Sequence, residues 1–228
     1  MRFFVTCLVF FLCFNISFAQ LQGGISGAYF SQNIPEWEAA VFGTQSDEQL
    51  LNSGFSQEVD LKIAGFENYR IQFHLNAGHA FSKTSLETRT FELRQIDLSL
   101  SSKIFLLSLE ADCDCPTFSR DAGLLEKGFY VELIAGASSY NATLTDVFEL
   151  NDKGIGLKLG LGMGLEIGIN DQVTISPYVR YNRFFNNEWE GLQEAIGTLD
   201  NIGLDRGSNT SPINQVSAGI RLGISLER

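Results

Sequence analysis

The clearest pattern in the chain is an unbroken alternation of residue types between Gly154 and Gly168. Ile, Leu and Met occupy every second position, and glycine, Lys158 and Glu166 occupy the positions between them. A helix would spread the apolar residues around its whole surface and would lose up to about 1 kcal/mol for each glycine. The period of two therefore predicts a β-strand with one apolar face.

The same alternation follows on the other side of a short polar stretch at 170–172. Residues 173–182 alternate between apolar and polar, so the two segments predict a β-hairpin. Pro177 interrupts the second strand because it has no N–H to donate, and we expect a β-bulge there. Residues 213–226 repeat the pattern at the end of the chain.

Weaker versions of the pattern occur at 23–31, 55–65, 69–81, 91–109 and 128–141, which brings the number of predicted strands to eight. After the N-terminal region no segment has 18 consecutive apolar residues, so the rest of the chain could cross a membrane only as a closed barrel. The predicted fold is all-β: an eight-stranded antiparallel up-and-down transmembrane β-barrel with long outer loops.

The predicted connections alternate in length. They are long at 32–54 and 185–212, medium at 82–90 and 142–152, and short at 66–68 and 169–172. With the N-terminus on the periplasmic side, the short connections become periplasmic turns and the longer ones outer loops, as in membrane barrels. Only the longer periplasmic connection at 110–127 departs from this arrangement.

The residues opposite the apolar stripe decide which face points inward. A polar face in water would be crowded with charges, whereas this one is mostly glycine and serine with a few long charged side chains, which suits a narrow barrel interior. Charges of both signs occur there, which predicts ion pairs across a plugged lumen. The predicted inward residues are Glu58, Asp60, Lys62, Arg70, His74, Asp97, Lys103, Glu132, Lys158, Glu166, Arg180 and Arg221.

Aromatic residues near the predicted strand ends match the girdles of membrane barrels. The residues assigned to these girdles are Tyr29, Phe55, Phe66, Tyr69, Phe81, Phe129, Tyr181 and Phe184.

The N-terminus has the features of a secretory signal peptide. Arg2 precedes an apolar run from Phe3 to Phe14, and small residues precede Gln20. We expect cleavage after Ala19, which leaves residues 20–228 as one barrel domain. A membrane anchor is the alternative, but it needs about 20 apolar residues and this run is shorter.

Composition narrows the possible partners and chemistry. A net charge of −11 argues against nucleic acid or an anionic lipid surface as a partner, because both need a basic footprint, and it leaves room only for local basic patches. Cys113 and Cys115 remain after signal cleavage and could form a disulfide or bind a metal. The disulfide is preferred, because His74 and His79 belong to a strand placed elsewhere. No cofactor is expected.

Several of these features together carry a resemblance to a known family. The features that carry the resemblance are the signal ending in Ser17-Phe18-Ala19-Gln20, the eight alternating segments, Lys127-Gly128-Phe129 at a strand start and the closing Gly219-Ile220-Arg221-Leu222-Gly223. The chain resembles the small porin-like outer-membrane β-barrel proteins of Gram-negative bacteria. The resemblance implies location in the cell outer membrane, contact with its lipid and insertion by the outer-membrane assembly machinery. Members usually end in an aromatic residue, whereas this chain ends Leu226-Glu227-Arg228.

Three functions are compatible with the sequence. The first is a non-enzymatic barrel that uses its outer loops in a structural or surface-interaction role. The second is a small membrane-embedded lipid-modifying enzyme that uses His79 and Ser82. The third is a soluble secreted barrel that binds an apolar ligand.

Overall fold

A computed structural model of the chain describes residues 22–42, 51–66, 70–86, 89–106, 128–145, 149–170, 172–190, 192 and 210–225. The elements are β1 Gln22–Asn33, α1 Pro35–Phe42, β2 Ser53–Phe66, β3 Ile71–Leu86, β4 Arg89–Phe105, β5 Phe129–Thr145, β6 Glu149–Leu165, β7 Ile167–Gly168, β8 Val173–Glu188 and β9 Thr210–Ser225. The predicted signal peptide, Cys113, Cys115 and the final Leu226-Glu227-Arg228 lie outside these residues.

The strands form one antiparallel sheet that closes on itself. Successive strands pair from β1 to β6, β8 pairs with β9, β1 pairs with β9, and both β6 and β7 pair with β8. The short β7 follows β6 at the same position in the wall, so the nine strand segments make an eight-stranded up-and-down barrel. Closure gives every strand a partner on both sides, which removes the free edges that an open sheet would expose. The predicted fold class is confirmed.

The strands are longer at one end of the barrel than the sequence indicates. We call the end with Gln22 and Ser225 the inner end and the opposite one the outer end. At the outer end β3 reaches Leu86 before β4 begins at Arg89, and β5 reaches Thr145 before β6 begins at Glu149. The predicted medium connections at 82–90 and 142–152 are therefore wrong. The long outer connections are the first, which contains α1, and the last, between β8 and β9.

Pro177 does not form the predicted bulge. Its pairing with Ile220 of β9 is in register, but the ladder on its other side breaks after the Gly164–Tyr178 pair and resumes at Ile167 with Ile175. The proline lacks the N–H that this part of the ladder would use, so the strand is divided into β6 and β7 without a change of register. The register shifts of the described strands lie instead in β2, between Lys62 and Ala64, and in β8, after Phe184.

The first outer connection contains a short helix that the sequence pattern did not indicate. Pro35 stands in the first turn of α1, where its missing N–H costs nothing, and Glu36 and Glu38 place negative charge near the helix N-terminus. The backbone N–H of Glu36 donates to Ser211 Oγ at 3.2 Å. A residue of β9 thus holds the start of α1 against the outer end of the barrel.

Candidate functional site

The outside of the barrel is apolar and the inside is polar. The apolar residues of β6 and β9 are exposed, with Leu157 at 58% and Ile220 at 60%, whereas Lys158 and Arg221 next to them in sequence are 5% and 2% exposed. Exposed Ile, Leu, Val and Met side chains also follow β1 to β5 and β8 around the wall. Water would disfavour such a surface, whereas lipid tails match it.

The chain is a β-barrel of the kind that spans membranes. Tyr29 and Phe55 pack edge to face at 5.5 Å on its outer surface, where Phe81 and Tyr181 are also exposed, as in an aromatic girdle. The assignment of Phe184 to the same girdle is wrong, because its side chain lies inside the barrel and is fully buried. Among the described residues no helix is long and apolar enough to cross a membrane.

Comparison with known proteins gives similarities of fold only. Neisserial surface protein A is 12% identical, with 90% of this chain and 96% of that chain covered and a TM-score of 0.49. The attachment invasion locus protein Ail of Yersinia pestis is 10% identical, with 89% and 98% covered and a TM-score of 0.43. Outer membrane protein OprG from Pseudomonas aeruginosa is 12% identical, with 92% and 95% covered and a TM-score of 0.37. No family model and no curated protein matches the chain.

Three groups of charged side chains cross the lumen. Nearest the inner end, Arg221 binds Asp60 through two hydrogen bonds of 2.7 Å. The same carboxylate contacts His74 Nδ1 at 3.0 Å, and His74 Nε2 lies 3.3 Å from Gln72 Oε1. Two bonds from one guanidinium to one carboxylate are among the stronger charge-assisted contacts in proteins.

The middle of the lumen is spanned by a single arginine between two acids. Arg180 on β8 donates to Glu132 on β5 at 2.7 and 3.2 Å, and to Glu58 on β2 at 2.8 Å. Closer to the outer end, Lys158 on β6 donates to Asp97 on β4 at 3.2 Å. These contacts join strands on different sides of the barrel, so the interior is occupied by side chains at several levels.

The remaining residues of the predicted inward set have different surroundings. Lys103 is fully buried with its Nζ 5.1 Å from the centre of the Tyr130 ring, and Glu166 is buried at the break between β6 and β7. Lys62 is half-buried at the register shift of β2. Arg70 lies before β3 in a turn with a φ of 51°, outside the strand that the sequence assigned to it.

Inward-facing glycines make room for the long side chains of the lumen. A Cβ at Gly24 would lie 2.6 Å from Arg221 Nε, and one at Gly223 would lie 2.5 Å from Arg221 Nη1. A Cβ at Gly164 would lie 2.5 Å from the Tyr130 hydroxyl oxygen. Glycine is required at these three positions because a neighbouring side chain occupies the space of a Cβ, not because of backbone conformation. This explains why glycines on the inner face alternate with apolar residues on the outer face.

The outer end of the lumen is filled by an apolar cluster that the sequence did not predict, and we call it the outer cap. Trp37 of α1 and Trp189 after β8 meet edge to face at 5.2 Å, and both are fully buried. The outer cap consists of Ile34, Trp37, Leu51, Phe91, Leu93, Tyr140, Ala142, Leu144, Phe184, Trp189, Leu192 and Ile213. The available signal was the presence of tryptophan and other large apolar residues in segments assigned to polar loops.

A hydrogen-bond pair fixes the outer cap to the barrel wall. The Tyr140 hydroxyl on β5 donates to the backbone oxygen of Glu188 and accepts from the N–H of the same residue, both at 2.6 Å. At this point β8 has a register shift with Asn186 at a φ of 59°, and Asn187 donates to Ser211 O at 3.2 Å. The chain turns inward there and carries Trp189 over the mouth of the lumen.

The proposed catalytic pair of the alternative enzyme is not assembled. His79 faces outward on β3 and is exposed, whereas Ser82 faces inward, is buried, and donates to Ser53 O at 2.6 Å. Residues of opposite parity on one strand point to opposite faces of a sheet, so His79 cannot act as the base for Ser82. The polar interior likewise argues against a carrier of apolar ligands.

Proposed function

We propose that this chain is a closed outer-membrane barrel that has a structural or surface-interaction role and conducts no solutes. The observation that supports the proposal is the occupation of the lumen by the outer cap and by the ion pairs of Asp60, Glu132 and Asp97 below it. A pore needs a continuous polar path, and a buried cluster of apolar side chains across the mouth interrupts one.

The outer loops are the parts of the barrel that can contact other molecules at the cell surface. The first and last outer connections are the longest at that end, and a rigid barrel would hold their exposed residues in place. The contact with lipid and insertion by the outer-membrane assembly machinery belong to the same proposal. The tryptophans of these connections face the lumen, so the available contact surface consists of their exposed residues.

The proposal is tested by measuring conductance in planar lipid bilayers. We expect the purified, folded protein to show no stable conductance steps, and vesicles that contain it to retain an encapsulated monosaccharide as well as empty vesicles do. A heat-dependent shift in gel mobility identifies the folded fraction in each preparation. Reproducible channel openings from fully folded protein would refute closure of the lumen.

A further inference from the structure

The lipid-facing wall carries a groove of about 600 Å³ across β3, β4, β5, β6 and β8. It extends from Phe73, near the inner end of β3, to Phe185, near the outer end of β8. Ser102 and Ala135 are small outward-facing side chains in its lining, and larger ones including Tyr181 surround them. The volume lies within the range of about 300–1,000 Å³ that is typical of ligand sites.

A cation stands at the outer part of this groove. Arg183 faces outward, is exposed, and has its guanidinium carbon 5.2 Å from the centre of the Phe185 ring. In the part of the chain that the structure describes, no carboxylate lies within ion-pair distance of it. A charged side chain at the membrane face is costly unless an anion or water neutralises or solvates it.

Arg94 provides a comparison within the same barrel. It also faces outward over a phenylalanine, with its guanidinium carbon 5.7 Å from the centre of the Phe81 ring. Unlike Arg183, it is paired with a carboxylate of the protein, Glu92, at 2.5 Å. Among the described residues Arg183 thus has no counterpart of Glu92, and its exposed guanidinium is placed to bind an anion at the lipid-facing surface.

We propose that the groove binds lipid A of the outer leaflet, with an acyl chain over Ser102 and Ala135 and a phosphate on Arg183. A guanidinium matches a phosphate through two parallel hydrogen bonds, and the apolar lining matches a hydrocarbon chain. Arg183 lies toward the outer end of β8, which the proposed topology places in the leaflet where lipid A resides. The inference rests on the outer-membrane assignment and adds a specific lipid to it.

The first test compares lipid binding by two arginine variants of the full-length protein. The folded proteins are placed in phosphatidylcholine nanodiscs and titrated with lipid A, dephosphorylated lipid A or phosphatidylglycerol, and binding is measured by native mass spectrometry. We expect Arg183→Gln to weaken binding of lipid A about tenfold or more, as loss of a charged hydrogen-bonding partner would. Arg94→Gln should bind like the unmodified protein, and dephosphorylated lipid A should bind as weakly as Arg183→Gln binds lipid A.

A second pair of variants tests the groove itself. Ala135→Phe places a ring in the groove and should also weaken binding, whereas Ala137→Phe changes the same face of β5 outside the lining and should not. Heat-dependent gel mobility shows that each variant is folded. The proposal would be overturned if Arg183→Gln bound lipid A as well as the unmodified protein does. It would also be overturned if phosphatidylglycerol bound as well as lipid A, or if a second copy of the protein occupied the groove. Each of these results would leave the conductance test of the closed lumen unaffected.

Discussion

At the scale of single residues, the interior depends on buried charges that each have several partners. Asp60 accepts two hydrogen bonds from Arg221 and contacts His74, and all three side chains are nearly inaccessible to water. A buried ion pair adds little stability relative to apolar residues of the same shape, but the loss of one member leaves the other charge without compensation. The pairs therefore restrict which substitutions the lumen tolerates.

Asp60→Asn should destabilise the barrel strongly. The amide keeps the size of the side chain but removes the negative charge opposite Arg221, so we expect a loss of about 3–5 kcal/mol in the free energy of unfolding. Urea unfolding in lipid vesicles, followed by tryptophan fluorescence, measures this change. As a control, Glu92→Gln breaks the more exposed pair with Arg94 and should cost about 1 kcal/mol or less.

The double variant Asp60→Asn/Arg221→Leu distinguishes loss of charge balance from loss of shape. Removal of both charges should recover a large part of the stability that the single variant loses, because no uncompensated charge remains. If Asp60→Asn alone were as stable as the unmodified protein, Arg221 would not need the Asp60 carboxylate.

The sequence predicts which charged residues point inward more readily than it predicts which of them pair. Alternation along each strand places Glu58, Asp60, Arg180 and Arg221 on the inward face, but it does not show that Arg180 reaches Glu58 and Arg221 reaches Asp60, each more than 100 positions away. The partners depend on how far each strand is shifted along its neighbour, and the shift is fixed only when the whole barrel closes.

At the scale of elements, alternation identifies the middle of each strand but not its ends. The outer part of β6 contains Asn151, Asp152 and Lys153, which are polar on both faces because this part lies beyond the apolar band. The pattern disappears there although the ladder with β5 continues to Glu149. The α1 helix has only eight residues, too few for an apolar repeat to stand out, although Trp37 within it is fully buried.

Pro177→Val should join β6 to β7. Valine supplies the missing N–H and suits a strand, so we expect the ladder of β8 to continue through the break at Glu166. Hydrogen exchange measured by NMR should show a protected amide at position 177, with stability unchanged or raised by about 1 kcal/mol. Rapid exchange of that amide would mean that something other than the proline divides the strand.

At the scale of the whole molecule, one continuous sheet separates a lipid-facing surface from a filled interior. Closure of the sheet satisfies the backbone, the apolar stripe faces outward, and glycine, ion pairs and the outer cap occupy the lumen. The order of strands was predictable because each pairs with the next along the chain. The outer cap was not, because its members come from α1, four strands and two connections that meet only after closure.

The central claim is that successive residues of one strand face lipid and the closed interior in turn. Ala137 and Ser138 of β5 test it directly, because the structure exposes the first and buries the second. Each is replaced by cysteine in a chain that carries Cys113→Ser and Cys115→Ser, and reaction with a membrane-soluble maleimide is measured in lipid vesicles. Ala137→Cys should react while the barrel is folded and Ser138→Cys only after it unfolds; the reverse order would contradict the account.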